Sequence, residues 1–426
     1  MSLQAWTSVV VFVVVIFSIA KGYLARSTAT LIGAMFLMFA RIIPADVGFG
    51  FIDFNTLGIL MGMMIIVGVL SRSGLFQYIA VKTIKLTGGR GFYLLFSIIA
   101  VTAVLSAFLD NVTTVLLISP IVLSLTDLLG LNPVPFLVSE AFASNIGGTA
   151  TLIGDPPNVI VGSFAGFSFV DFIVNLSPVA IVILIGTACF LAFFYRADLN
   201  VKPERTERLK AVDENKLIKD PLLMKESLIA IILVLIGFIV HHMLHLDACV
   251  IALFGAAILL AVIPISGPDV IHQDVEWPTL IFFSSLFIMV GALKETGVIM
   301  YVATLMSETL VGHKFLAILA ILWVSGIACI FINPVAFVAI FVQVVDQLAI
   351  VLAMDSTPLF WALAMGACLG GNGSYLGATA NAVLAGVAER NGHPLSFSYF
   401  LKIGLRVAAF SLTICSLYIW LRYRGI

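Results

Sequence analysis

The sequence predicts an all-α polytopic membrane protein, and three observations carry that class. Hydrophobic residues make up 61% of the 426 residues and charged residues 11%, against roughly 45 to 50% and 25% in soluble domains. Apolar runs of helix length recur along the whole chain. Polar and glycine-rich interruptions fall inside those runs at a constant spacing between the two halves.

A helix needs about 20 apolar residues to cross the hydrocarbon core. Such runs extend over Ala5 to Ala20, Ala29 to Ile43, Thr56 to Leu70, Ser177 to Phe194, Ser227 to His241 and Cys249 to Ile265. The first has neither a basic leader nor a small-residue cleavage site, so it is expected as a retained helix rather than a signal peptide. Arg196 to Asp220 mixes charges of both signs and reads as a solvated linker. The expected organisation is a first membrane repeat over 1–195, a cytoplasmic linker over 196–225 and a second, inverted repeat over 226–426. A net charge of -1 gives no reason to expect a nucleic-acid partner. The five cysteines are scattered singly in apolar segments, with no zinc or disulfide pattern. No metal site and no cofactor are expected.

Shifting the sequence by 223 residues aligns the halves. Thr56-Leu57 fall on Thr279-Leu280, Gly68 on Gly291, Phe108 on Phe331, Gly147-Gly148 on Gly370-Gly371, Gly154 on Gly377 and Asn158 on Asn381. One ungapped offset of this length argues for internal duplication. The first half holds three spans, then Gly91 to Leu129, too long for one helix and polar at Asp110-Asn111. A span broken between Gly147 and Asn158 follows, and then Ser177 to Phe194. With Gly91 to Leu129 as a re-entrant hairpin, each half crosses about five times, and an odd number inverts the copy. Cytoplasmic loops carry excess Lys and Arg. An outside N-terminus puts Lys21, Arg26, Arg72, Lys82, Lys85, Arg90 and eight basic residues from Arg196 to Lys225 inside, leaving little beyond Arg41, Lys294 and Lys314 outside. Arg422 and Arg424 run against that bias.

An ionisable group in hydrocarbon costs at least about 2.5 to 3.5 kcal/mol, so it usually faces a cavity, a partner or a transport path. The hairpin tips are LDNVT (Leu109 to Thr113) and INPVA (Ile332 to Ala336). The helix breaks are NIGGTATLIGDPPNVIVGS (Asn145 to Ser163) and CLGGNGSYLGATANAVLAG (Cys368 to Gly386). Glycines and Pro156-Pro157 unwind the helix and bare its amides and carbonyls, while Thr149, Thr151, Asn372 and Ser374 add side-chain donors and acceptors. Close helix packing alone accounts for many membrane glycines. It does not account for four interruptions in register with a repeat, which point to a midplane site of a secondary transporter. Asp155 is either a second carboxylate facing that site or the cap of a helix starting at Pro156. Glu140, before the first break, is either a proton relay or a polar contact within the bundle.

SAFLDNVTTVLL and GGTATLIGDPPN resemble the ion transporter superfamily, on the branch of arsenite efflux permeases and the melanosomal P-protein, with sodium/proton antiporters and dicarboxylate carriers more distant. The resemblance implies inverted repeats, a fixed scaffold beside a moving transport part, and commonly a homodimer; a soluble ATPase subunit is a further partner. It implies site roles for Asp110, Asn111, Thr113, Gly148, Thr149, Thr151, Asn372 and Ser374. The chain departs from that pattern at Asn333-Pro334, where many relatives repeat Asp-Asn, so one tip is anionic and the other neutral.

The function expected from these residues is proton-coupled export of arsenite or antimonite from the cell through the inner (plasma) membrane. Arsenite at neutral pH is an uncharged trihydroxide, which calls for hydrogen bonds from groups such as Asn111, Thr113, Thr149, Asn333, Asn372 and Ser374. Asp110 is the expected proton carrier, with Asp155 and Glu140 behind it. The alternative is a sodium/proton antiporter or a sodium-coupled anion carrier, in which Na+ is the coupling ion. An intramembrane aspartyl protease would also use two membrane aspartates, but it has no reason to repeat its motif region at a fixed offset.

Overall fold

The computed structural model describes residues 2–87, 90–199, 214–244, 246–263, 265, 267–310 and 312–424. The middle of the expected linker, 200–213, lies outside the described residues. The first half folds as α1 (Leu3–Lys21), α2 (Arg26–Phe39), α3 (Ala45–Gly50), α4 (Phe54–Arg72), α5 (Leu75–Leu86), α6 (Gly91–Ser106), α7 (Asn111–Leu129), α8 (Val134–Thr149), α9 (Pro156–Ala165), α10 (Phe169–Asn175) and α11 (Ser177–Phe194). The second half folds as α12 (Pro221–Leu244), α13 (Ala248–Val262), α14 (Gly267–Asp274), α15 (Trp277–Glu295), α16 (Val298–Leu310), α17 (Lys314–Cys329), α18 (Pro334–Val351), α19 (Thr357–Gly370), α20 (Thr379–Arg390) and α21 (Phe397–Tyr423). No strand occurs among the described residues.

The sequence offset reappears as a structural one. Six helices of the first half, starting at 54, 75, 91, 111, 134 and 156, have counterparts starting at 277, 298, 314, 334, 357 and 379, each 223 residues later. The start signals are local. Asp110 caps α7 by accepting from the amides of Val112 and Thr113, and Asn333 caps α18 by accepting from Val335. Prolines occupy the first turn of α8, α9, α11, α15, α18 and α19, where a missing N–H costs nothing.

Both predicted hairpins form, α6–α7 and α17–α18, and both predicted breaks lie between α8 and α9 and between α19 and α20. Two of the expected spans are shorter than a bilayer requires. α2 has 14 residues and α13 has 15, about 21 to 23 Å at the helical rise. α2 gives way shortly before Arg41, which adopts a left-handed φ of 55°. α13 stops at Ile263, which is extended (φ -70°, ψ 147°) because it precedes a proline. Among the described residues seven helices are long and apolar enough to cross a membrane, and the pair α9–α10, bent by 114°, is an eighth element of that kind.

Two groups of helices emerge from the packing. α4 packs on α13, α2 on α15, and α12 on α13 and α4. A Cβ on Gly62 would meet the backbone of Ala252, so that glycine sets the α4–α13 distance. The second group holds the hairpins and breaks: α6 packs on α8, α17 on α19, and each hairpin's returning arm packs on the broken helix of the other half, α7 on α20 and α18 on α9. That exchange brings both tips and both breaks to one place.

Candidate functional site

Each break is closed by an asparagine one turn beyond it. Asn158 Nδ2 lies 3.3, 3.1 and 2.8 Å from the carbonyl oxygens of Gly148, Thr149 and Thr151. Asn381 Nδ2 donates to Gly371 and Ser374, both at 2.9 Å. Thr151 Oγ1 donates to the Ala107 carbonyl and accepts from Gly154 N at 3.1 Å. Ser374 Oγ donates to Ile330 and accepts from Leu376 and Gly377. These hydroxyls tie each break to the tip beside it. A Cβ on Gly147 would run into the backbone of Ala103, and one on Gly370 into that of Gly326, so only glycine lets break and hairpin approach this closely.

Where the four elements meet lies a chamber of about 80 Å³ lined by Asp110, Asn111, Asn145, Asp155, Asn333, Cys368 and Thr379, among others. Asp155 stands before Pro156 but makes no side-chain cap bond. Of its two expected roles, the chamber-facing carboxylate describes its position. It is 7% exposed and shares the chamber wall with Asp110, Asn111 and Cys368. Asn111 Oδ1 accepts from Ser106 Oγ at 2.6 Å, and Ser144 Oγ lies 3.1 Å from Ser106 Oγ and 3.2 Å from the Asn111 carbonyl. Ser106 thus holds the side-chain amide of the tip, and Ser144 its backbone.

Asp110 and Asn333 each face a second space as well. Asp110 and Thr113 also line a vestibule of about 430 Å³, together with Arg72, Asp274, Glu276 and the linker residue Lys219. A bidentate Arg72–Asp274 pair, 3.0 Å at its closest, ties the halves together there. Asn333 adjoins a cavity of about 140 Å³ with Arg26, Phe331 and Tyr375. Arg26 Nη1 donates to Thr379 Oγ1 at 2.6 Å.

The predicted residues therefore divide. Asp110, Asn111, Asp155 and Asn333 line the chamber. Thr113 lines the vestibule, while the Thr149, Thr151 and Ser374 hydroxyls donate to backbone carbonyls. Gly148 presents its carbonyl to Asn158. Glu140 is fully buried further along α8, where Ser119 Oγ donates to its Oε1 at 2.8 Å. Sequence reasoning missed Asn145, Ser106, Ser144 and Arg26. Asn145 opens the quoted first break motif, and its place there was the available signal; Arg26 was counted only as a loop charge.

Irregular backbone at membrane depth, closed by its own side chains around a small polar chamber between two repeats, defines a membrane transporter. The chain belongs to the citrate transporter family (CitMHS), whose family model matches residues 12–366. A 46 kDa membrane protein of Mycobacterium leprae is 38% identical over 98% of both chains. The P protein of Mus musculus is 32% identical, covering 96% of this chain and 59% of that longer one. Among solved structures, the Alcanivorax borkumensis YdaH transporter, described as having an unusual topology, superposes with a TM-score of 0.59 over 89% of this chain and 88% of its own, at 15% identity.

Proposed function

We propose that this transporter is a proton-coupled exporter of arsenite or antimonite, carried as the neutral trihydroxide by alternating access. The observation that carries the reading is the chamber, small and lined by two carboxylates and three amides, with no Lys or Arg among its lining residues. A cavity needs about 10 to 15 Å³ of such space to hold one water, so about 80 Å³ admits a solute of a few hydroxyl groups. Asp110 borders both chamber and vestibule, which suits a carboxyl that takes a proton on one side and releases it on the other. Asp155 and Glu140 are the next carriers. In this reading repeats 1–195 and 226–426 face opposite ways in the plasma membrane, the segment 196–225 is cytoplasmic, and the working unit is a homodimer able to engage a soluble ATPase subunit.

A second reading has its own observation. Arg26 bonded to Thr379, beside the neutral tip, supplies a cation for an anionic cargo, and the family takes its name from citrate. A sodium-coupled anion carrier would use that pair, and a sodium/proton antiporter would use the carboxylates alone. Purified protein in liposomes, offered arsenite, citrate and sodium under imposed pH and sodium gradients, separates the three. Arsenite accumulation driven by the pH gradient supports the first reading; citrate uptake that requires sodium replaces it.

A further inference from the structure

Three buried asparagines meet where the two breaks cross, and their amides can be oriented without ambiguity. Asn381 Nδ2 spends both hydrogens on the carbonyls of Gly371 and Ser374, so its Oδ1 faces the other way. There it accepts from Asn145 Nδ2 at 3.0 Å. The second hydrogen of Asn145 Nδ2 goes to Asn372 Oδ1 at 2.9 Å. Flipping any of the three would set oxygen against oxygen or nitrogen against nitrogen. Two atoms are then left over, the acceptor Asn145 Oδ1 and the donor Asn372 Nδ2, neither with a protein partner. Asn145 is 1% exposed and Asn372 is fully buried.

A buried donor and a buried acceptor left unmet are costly, and their presence in a native fold calls for an occupant. Asn145 lines the chamber together with Asp110 and Asp155. The two open atoms discriminate among occupants. A bare cation would be drawn to Asn145 Oδ1 but repelled by the Asn372 N–H; an anion would meet the reverse. Asn145 Oδ1 belongs to a residue of the chamber wall, whereas Asn372, bonded to Asn145, is not itself among the lining residues. A hydroxyl group is the simplest group that can donate to the first and accept from the second.

We infer that Asn145 and Asn372 form a subsite for a hydroxyl group of the cargo, with Asn145 as a specificity-determining residue. The inference rests on the chamber being the cargo site and narrows the cargo to hydroxyl-bearing solutes. Asn372→Thr is the sharper variant: it copies Thr149 from the equivalent place in the first half, whose hydroxyl donates to its own helix, and so removes the unpartnered N–H without adding a charge. Asn372→Ala, which removes the whole amide, serves should the threonine variant fold poorly.

The experiment is arsenite counterflow in proteoliposomes, with thermal unfolding of the same preparations. The expected result is a rise of about three- to tenfold in the half-saturating arsenite concentration, the size of one lost hydrogen bond, in a variant that still unfolds cooperatively and still responds to the pH gradient. An unaltered half-saturating concentration in a folded variant, beside active wild type, overturns the subsite and leaves the proposed function standing; an internal water alone then fills the gap. Wild type that exchanges citrate or sodium but not arsenite overturns the proposed function instead. The subsite is then judged on citrate, whose hydroxyl makes the same demand, against tricarballylate, which lacks it. Loss of citrate preference in the variant upholds the subsite, and exchange of sodium alone overturns it.

Discussion

Asn158 in the first half and Asn381 in the second perform one task, closing an unwound helix by donating to its bared carbonyls. Thr151 and Ser374 likewise both reach the hairpin beside them, at Ala107 and Ile330. Away from these braces the halves part. Where the first half has Ser106, Asp110, Asn111, Ser144, Asn145 and Asp155, positions 223 later hold Cys329, Asn333, Pro334, Ala367, Cys368 and Ala378. The duplicated part is the geometry that breaks a helix inside a membrane without orphaning its backbone. The unduplicated part is the chemistry, and both chamber carboxylates belong to the first half.

If the braces are common to both halves, damaging either should unfold the protein. Asn158→Leu leaves three buried carbonyls unmet and should cost about 3 kcal/mol or more; Asn381→Leu, with two, should cost somewhat less. Unfolding temperatures in detergent check the pair, and a mild effect from either would break the comparison. Next in size, Gly147→Ala and Gly370→Ala each push a methyl group into backbone and should cost about 1 to 3 kcal/mol. Near-equal losses in the two variants are expected, since each meets the equivalent stretch of its own hairpin.

The offset of 223 was legible in the sequence because glycines, prolines and asparagines at the breaks are demanded by backbone geometry, and that geometry was copied. It located both tips and both breaks, and six helix starts in the structure follow the same offset. The chamber was legible only in part. Asp110, Asn111 and Asn333 stood out as polar residues in apolar runs, whereas Ser106 and Ser144 are unremarkable in a helix until two helices cross. Arg26 sits far along the chain from Thr379, so nothing local announced their bond. The short α2 and α13 escaped because apolar content continues in the sequence beyond Phe39 and Val262, where the two helices stop.

The smallest expected effect concerns the thiols. Cys368 lines the chamber and lies 3.4 Å from Asn158 Oδ1, while Cys329 is buried beside the second break. Trivalent arsenic binds thiolates strongly, but a carrier must release its cargo, and a thiolate is disfavoured in an apolar setting. Replacing both cysteines by Ala should leave arsenite resistance within about twofold at matched protein levels, since at most one weak hydrogen bond is lost. By contrast, Asn111→Ala should lower it visibly. Loss of resistance in the cysteine variant alone would move the metalloid from oxygen and nitrogen ligands to sulfur.

The asymmetry itself is tested most directly at Asp110. Asparagine can still accept from the Val112 and Thr113 amides, so Asp110→Asn should fold with its helix cap intact, yet it cannot take up and release a proton. In liposomes with an imposed pH gradient, wild type should accumulate arsenite uphill and the variant should only equilibrate it. Uphill accumulation by Asp110→Asn at the wild-type level would contradict the assignment of coupling to the acidic tip.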